Sequence, residues 1–154
     1  MLLRDVLGVK GRAVHAITPD ATLDDVVTEL VRLNIGSLLV RETPSGAVIG
    51  IITERDVLRA QASHRGSLEE LRVAMFLTSE LITVQPEDDT TEAMRLMTAH
   101  RVRHLPVIQG DELFGLVSIG DLVKAHHDEL ERANLDMLNY IQGGASSAII
   151  PAGQ

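Results

Sequence analysis

At 154 residues, 45 % hydrophobic and 2 % aromatic, the chain can bury one or two modest cores built from Leu, Ile, Val and Met. It has no Cys, which excludes a disulfide framework and a Cys-ligated metal and fits a reducing, cytoplasmic setting. A net charge of −8 and a sequence pI of about 5.1 argue against a nucleic-acid partner, which needs a basic face; a small anion is a fitting ligand only where Arg or Lys gathers locally.

The opening MLLRDVLGVKGR is too short in its apolar part and too charged for a signal peptide. No apolar run approaches the roughly 18–20 residues of a spanning helix, so no membrane partner is expected. HAITPD reads as a short strand running into Pro19. Val26, Val27, Leu30 and Leu33 follow at helical spacing. SLLVRE and AVIGII are two strands joined by the turn TPSG, and GIITERDVLRA (50–60) turns the second strand into a helix. SLEELRVAMF suggests a short helix in a linker over 63–80. LITVQPED then repeats the lead-in, Ala93, Met94 and Met97 mark a helix, and HLPVIQ and ELFGLV form a hairpin about Gly-Asp. GLVSIGDLVKA (115–125) opens a last, polar helix expected to run to about Tyr140, and QGGASSAIIPAGQ reads as a frayed tail.

The order β-α-β-β-α thus occurs twice. Pro19 aligns with Pro86 at an offset of 67, and with it Val26 with Ala93, Leu30 with Met97, Leu38 with Leu105 and Val40 with Val107. The shorter second turn reduces the offset to 65, so that Gly50 meets Gly115, Thr53 meets Ser118 and Asp56 meets Asp121. The expected fold is α+β: two repeats, at 8–62 and 81–127, packed with pseudo-two-fold symmetry, and a C-terminal helical extension and tail at 128–154.

Thr53-x-x-Asp56 and Ser118-x-x-Asp121 have two readings. A hydroxyl residue before a helix and an acid three residues on form a capping box, although that position favours the longer Glu or Gln. Alternatively, the free N–H groups of a helix N-terminus favour phosphate and the Asp accepts hydrogen bonds from the diol of a ribose, with Arg55 closing on phosphate oxygens. The repeats also differ. Gly36-Ser37-Leu38-Leu39 stands where Arg103-His104-Leu105-Pro106 follows, and Glu54-Arg55 where Ile119-Gly120 follows. A strand proline removes a donor and releases a carbonyl, expected near Pro106, that suits an exocyclic amino group. Arg101 and Arg103 stand ready to replace the missing Arg.

GIITERD, GLVSIGD, the lead-ins ITPDAT and ITVQPEDDT, and RVRHLPV together resemble a tandem pair of CBS (cystathionine-β-synthase) domains, a Bateman module, of the small stand-alone bacterial type. The resemblance spans roughly residues 8–127. It implies a non-enzymatic sensor with no catalytic residues that binds an adenosine ligand: AMP first, or ADP, ATP, NAD(H) or S-adenosylmethionine, with no metal. The residues it assigns to that ligand are Ile17, Thr18, Thr53, Arg55 and Asp56 in the first repeat. In the second they are Thr83, Val84, Arg103, His104, Pro106, Ser118 and Asp121. It further implies a homodimer, with the helix faces of Leu30 and Leu33 and of Met94 and Met97 as candidate contacts, and a regulated protein partner that the sequence does not name. The competing reading is a ligand-independent dimeric scaffold in which the Asp residues only cap helices. His100 and His104 are expected to end a helix and begin a strand rather than share a metal, and His126 to Glu129 read as a solvated face. No P-loop and no nucleophile set is present.

Overall fold

The computed structural model describes residues 1–145. Its first element, α1 (Leu3–Lys10), lies ahead of anything the repeat pattern announces. Leu3, Val6 and Leu7 share one face at 3-and-4 spacing and are buried. The Asp5 carboxylate accepts from the Leu2 N–H at 3.1 Å, and the Gly11 N–H, at φ +99°, closes the last turn on the Leu7 carbonyl at 2.8 Å. Leu3 and Arg4 donate their backbone N–H groups to the carbonyls of Asp88 and Pro86, so α1 is docked far along the chain.

The two repeats agree down to hydrogen-bond register. In the first, β1 (Ala16–Ile17), α2 (Leu23–Leu33), β2 (Ser37–Arg41), β3 (Val48–Thr53) and α3 (Glu54–Ser63) follow in order. In the second come α4 (Thr90–His100), β4 (His104–Gln109), β5 (Glu112–Ser118) and α5 (Ile119–Ala145). Ser37 pairs with Thr53, Leu39 with Ile51 and Val40 with Gly50; at the same places His104 pairs with Ser118, Pro106 with Leu116 and Val107 with Gly115. Both hairpins carry an irregularity immediately after Val40 or Val107. Both first helices end on a left-handed residue, Asn34 at φ 52° and Arg101 at φ 55°.

The lead-in strands are shorter than the sequence suggests. β1 has two residues, pairing parallel with Leu39 and Val40, and the second lead-in is reduced to a single bridge between Val84 and Val107. Proline explains the brevity: Pro19 and Pro86 offer no N–H to extend a ladder, and after Val84 the chain turns, with the Asp88 carboxylate accepting from the Gln85 N–H at 2.7 Å. The short helix expected in SLEELRVAMF is instead two 3₁₀ turns, Leu68–Glu70 and Val73–Met75. Pairing overrides helix propensity between them. Leu71 and Arg72 are extended because the Leu71 carbonyl accepts from Leu23 N–H and the Val73 N–H donates to Ala21. The last helix does not fray at Gln142 but continues to Ala145, a length of about 40 Å; the remainder of the expected tail lies outside the described residues.

Two cores result, and each is finished by the segment leading into the other repeat. Leu71 and Val73 complete the core of Leu23, Val26, Leu38 and Ile52. Leu3, Val6 and Leu7 of α1 complete the core of Met97, Leu105, Val117 and Leu122. Leu30 and Met97 belong to these cores, and Leu33 and Met94 are half-buried, so the faces expected to meet a second copy turn mainly inward. Leu39 and Ile51 are buried outside both cores, and the two repeats approach where His104 lies against Gly36.

The aligned glycines mark where each covering segment touches. A Cβ on Gly50 would stand 2.4 Å from Leu77 Cδ1 and 2.6 Å from the Thr78 carbonyl oxygen; on Gly115 it would stand 2.8 Å from Leu7 Cδ1. Backbone cannot retreat as a leucine tip can. Gly50→Ala is therefore expected to cost about 1–3 kcal/mol, a fall of roughly 2–4 °C in melting temperature per kcal/mol. Gly115→Ala should cost visibly less, and equal losses in thermal denaturation would contradict this account.

Candidate functional site

The hairpin register brings the two strand-to-helix junctions together. Gly36 and His104 touch where β2 and β4 begin, and the register partners of Ser37 and His104 are Thr53 and Ser118. The Glu54 N–H donates to the Gly36 carbonyl at 3.1 Å and the Ile119 N–H to the Arg103 carbonyl at 2.9 Å, so each helix starts bonded to its own hairpin.

At the first junction the Thr53 N–H donates to Asp56 Oδ2 at 2.9 Å, and the Asp56 N–H returns to Thr53 Oγ1 at 3.3 Å. At the second, Ser118 N–H reaches Asp121 Oδ2 at 2.8 Å and Asp121 N–H reaches Ser118 Oγ at 3.2 Å. Both are complete capping boxes. Asp serves in the position that favours Glu or Gln because the cap residue is extended, at φ −119° and ψ 166° for Thr53, which brings its N–H within reach of the shorter side chain. Thr22 and Asp25 make the same box away from either junction. The Asp residues are caps; any further role must come from their surroundings.

Those surroundings differ. Asp56 is 8 % exposed, and besides Thr53 its carboxylate accepts from Thr78 Oγ1 at 3.4 Å. The linker covers it, because Thr78 pairs with Ile51 through both backbone groups. The Asp121 side chain is 22 % exposed and takes a different partner, Lys10 Nζ of α1, at 2.6 Å. Burial alone would raise the Asp121 pKa, but the Lys10 ammonium and the Ser118 bonds outweigh it and hold the carboxyl below its usual range. Lys10 Nζ also donates to the Leu116 carbonyl at 2.7 Å, and Arg12 lies 3.7 Å over the Phe114 ring with its Nε on the Phe114 carbonyl at 2.9 Å. A groove of about 320 Å³ between α1 and α5 opens beside Lys10 and Asp121.

The remaining sequence-derived residues divide. Val84 and Pro106 are buried and bonded: the Pro106 carbonyl accepts the Val84 N–H at 3.1 Å. The carbonyl expected to be free near Pro106 is therefore not that of Pro106 itself. In the first repeat the Leu39 N–H donates to the His15 carbonyl; Pro106 has no N–H to give the equivalent residue, Ile82. The released acceptor is the Ile82 carbonyl, one residue before Thr83. Thr83 is exposed, while Ile17, Thr18 and His104 are half-buried. Burial and Lys10 lower the His104 pKa, Asp121 and Glu54 oppose them, and the net direction leaves the imidazole neutral at pH 7. The guanidinium groups of Arg55 and Arg103 are exposed, without a hydrogen bond or ion pair among the described residues. Of the histidines expected on a solvated face, His126 departs from it: its ring bonds buried Thr90 Oγ1 at 2.8 Å. His127, Asp128 and Glu131 lie close enough to share an ion, in an arrangement common among exposed acids. His100 ends α4 and His104 opens β4. Sequence reasoning missed Lys10 and Ile82, although the offset of 67 places Lys10 opposite Leu77 and Ile82 opposite His15.

The family model for the CBS domain matches residues 4–63 and 73–128. The chain belongs to the CBS domain family. Its tandem CBS repeats are 40 % identical over 153 residues to the mitochondrial CBS domain-containing protein CBSX3 of Arabidopsis thaliana, covering 92 % of this chain and 72 % of that one. The CBS-domain protein ATU1752 of Agrobacterium tumefaciens superposes with a TM-score of 0.78 at 34 % identity, over 81 % of this chain and 92 % of that one. The CBS domain pair of protein MJ0100, in complex with 5′-methylthioadenosine and S-adenosyl-L-methionine, shares the fold with a TM-score of 0.65 at 20 % identity, over 84 % and 98 % of the chains. No helix among the described residues is long and apolar enough to cross a membrane.

Asp56 is so enclosed that its cap contributes to the empty protein. Asp56→Asn keeps the shape but loses the charge on three hydrogen bonds, and is expected to cost about 1–2 kcal/mol. An unchanged urea midpoint would show that the Thr53 and Thr78 contacts carry no stability.

Proposed function

We propose that this chain is a non-catalytic regulatory module that binds an adenosine ligand at its second junction. AMP is the first choice, ahead of ADP, ATP, NAD(H) and S-adenosylmethionine. The observation that carries the reading is that the second repeat has both a part-exposed Asp121 carboxylate and the released Ile82 carbonyl, where the first has an enclosed Asp56 and a bonded His15 carbonyl. The first is suited to a ribose diol and the second to an exocyclic amino group. Gly120 supports it: a Cβ there would meet nothing nearer than Ser118 Oγ at 3.7 Å, so the start of α5 is open to a phosphate. The adenosine compounds held by the MJ0100 domain pair support the same ligand class. The first junction, closed over Asp56 by Thr78, is expected to stay empty.

A scaffold without ligand is the second reading, favoured by the fact that both capping boxes are complete in the protein alone. A thermal-shift and calorimetric screen of the five ligands separates the two. Ligand at about 100 times its dissociation constant stabilises by roughly 2.7 kcal/mol. Asp121→Asn is expected to weaken binding roughly ten- to a hundred-fold, and Asp56→Asn far less. Absence of binding by any adenosine compound below millimolar leaves the scaffold.

The same reading has the module paired with a second copy. Val31 on α2 and Leu58 on α3 are exposed at 76 % and 70 %, and burying them in a partner would remove that apolar surface from water. Sedimentation at micromolar concentration is expected to give twice the chain mass of 16.7 kDa; the single mass would count against pairing.

A further inference from the structure

The alignment that pairs Pro19 with Pro86 also pairs Lys10 with Leu77. Both belong to covering segments, yet they meet their strands differently. Leu77 lies against Gly50, and the Thr78 backbone after it bonds Ile51. Lys10 instead sends its ammonium to the carbonyl of Leu116, the counterpart of Ile51, and to Asp121 Oδ2. An ammonium has three donors and these two bonds use two. The Lys10 side chain is 36 % exposed and lines the groove, so the third is not enclosed by protein. Lys124 and Arg132, which share the groove, stand farther along α5 from Asp121, and Lys124 is committed to Asp128 at 2.6 Å. His104 adds no charge, because burial and Lys10 itself keep it neutral.

We propose that Lys10 makes the second junction selective for a phosphate-bearing adenosine ligand over the uncharged nucleoside. This deepens the adenosine reading above and rests on it. A chain of net charge −8 that offers a carboxylate to a ribose repels the phosphate attached to that ribose unless a cation stands between them. Lys10 stands at that carboxylate, is held from two sides, and keeps a donor to give. At the first junction the residue aligned with Lys10 is the apolar Leu77, and the nearby cation is Arg55 of α3.

Calorimetry of the wild type, Lys10→Met and Lys10→Arg with AMP and with adenosine tests this. The wild type is expected to bind AMP about ten-fold or more tightly than adenosine. Lys10→Met should lose that preference, weakening AMP roughly ten- to a hundred-fold while adenosine stays within about three-fold. Lys10→Arg, which keeps the charge and also guards against a folding defect in the methionine variant, should recover most of the AMP affinity. An unchanged ratio of AMP to adenosine affinity in Lys10→Met overturns the proposal. So does a gain in both affinities, which would make Lys10 a plug on Asp121, or a loss of AMP in Arg103→Met alone. A wild type that binds adenosine as well as AMP overturns the selectivity and leaves the adenosine reading standing; one that binds neither overturns both.

Discussion

The fold depends on a crossed covering. Each hairpin has a core face filled by its own helices and an outer strand, β3 or β5, whose edge must be closed. The chain closes each with the segment that leads into the other repeat. Leu71 to Thr78 closes the first, and α1 with Lys10 and Arg12 closes the second. The aligned glycines Gly50 and Gly115 follow from this, because they mark the points where the covering chain presses against its strand. Neither repeat is complete without residues from the segment that leads into the other.

The two closures are alike in position and unlike in chemistry, and the difference between the junctions starts there. At β3 the closure is backbone pairing, which draws Thr78 over Asp56 and encloses it. At β5 it is a lysine side chain, which reaches the strand carbonyl and leaves Asp121 partly open to water. Pro106 adds a second difference by withholding the N–H that Leu39 gives to its lead-in. Pseudo-symmetry in the backbone thus yields one closed and one accessible half.

Most of the architecture was legible in the sequence because it is local or repeated. The offsets of 67 and 65 carry over unchanged into the hairpin registers. What was not legible depends on which distant group arrives. Three apolar residues in α1 do not announce that their partners are Val117 and Leu122. SLEELR has the composition of a helix, and only the pairing of Leu71 with Leu23 shows why it is not one. The free carbonyl expected near Pro106 falls on Ile82, because only the pairing of the lead-in with β4 shows which residue faces the missing N–H. That Asp can fill a position favouring Glu or Gln is visible only with the extended cap residue in place.

The crossed covering also sets an order in time. On a chain synthesised from its N-terminus, α1 emerges before β5 and the start of α5, which bury Leu3 and Leu7. The first repeat likewise waits for Leu71 and Val73 before its core is full. The apolar stripe of α1 therefore stays uncovered until the residues up to Leu122 have been made. Its contacts are among the most distant in the chain, where loop closure slows folding most. Half of this protein is not a smaller version of the whole; it is an unfinished intermediate.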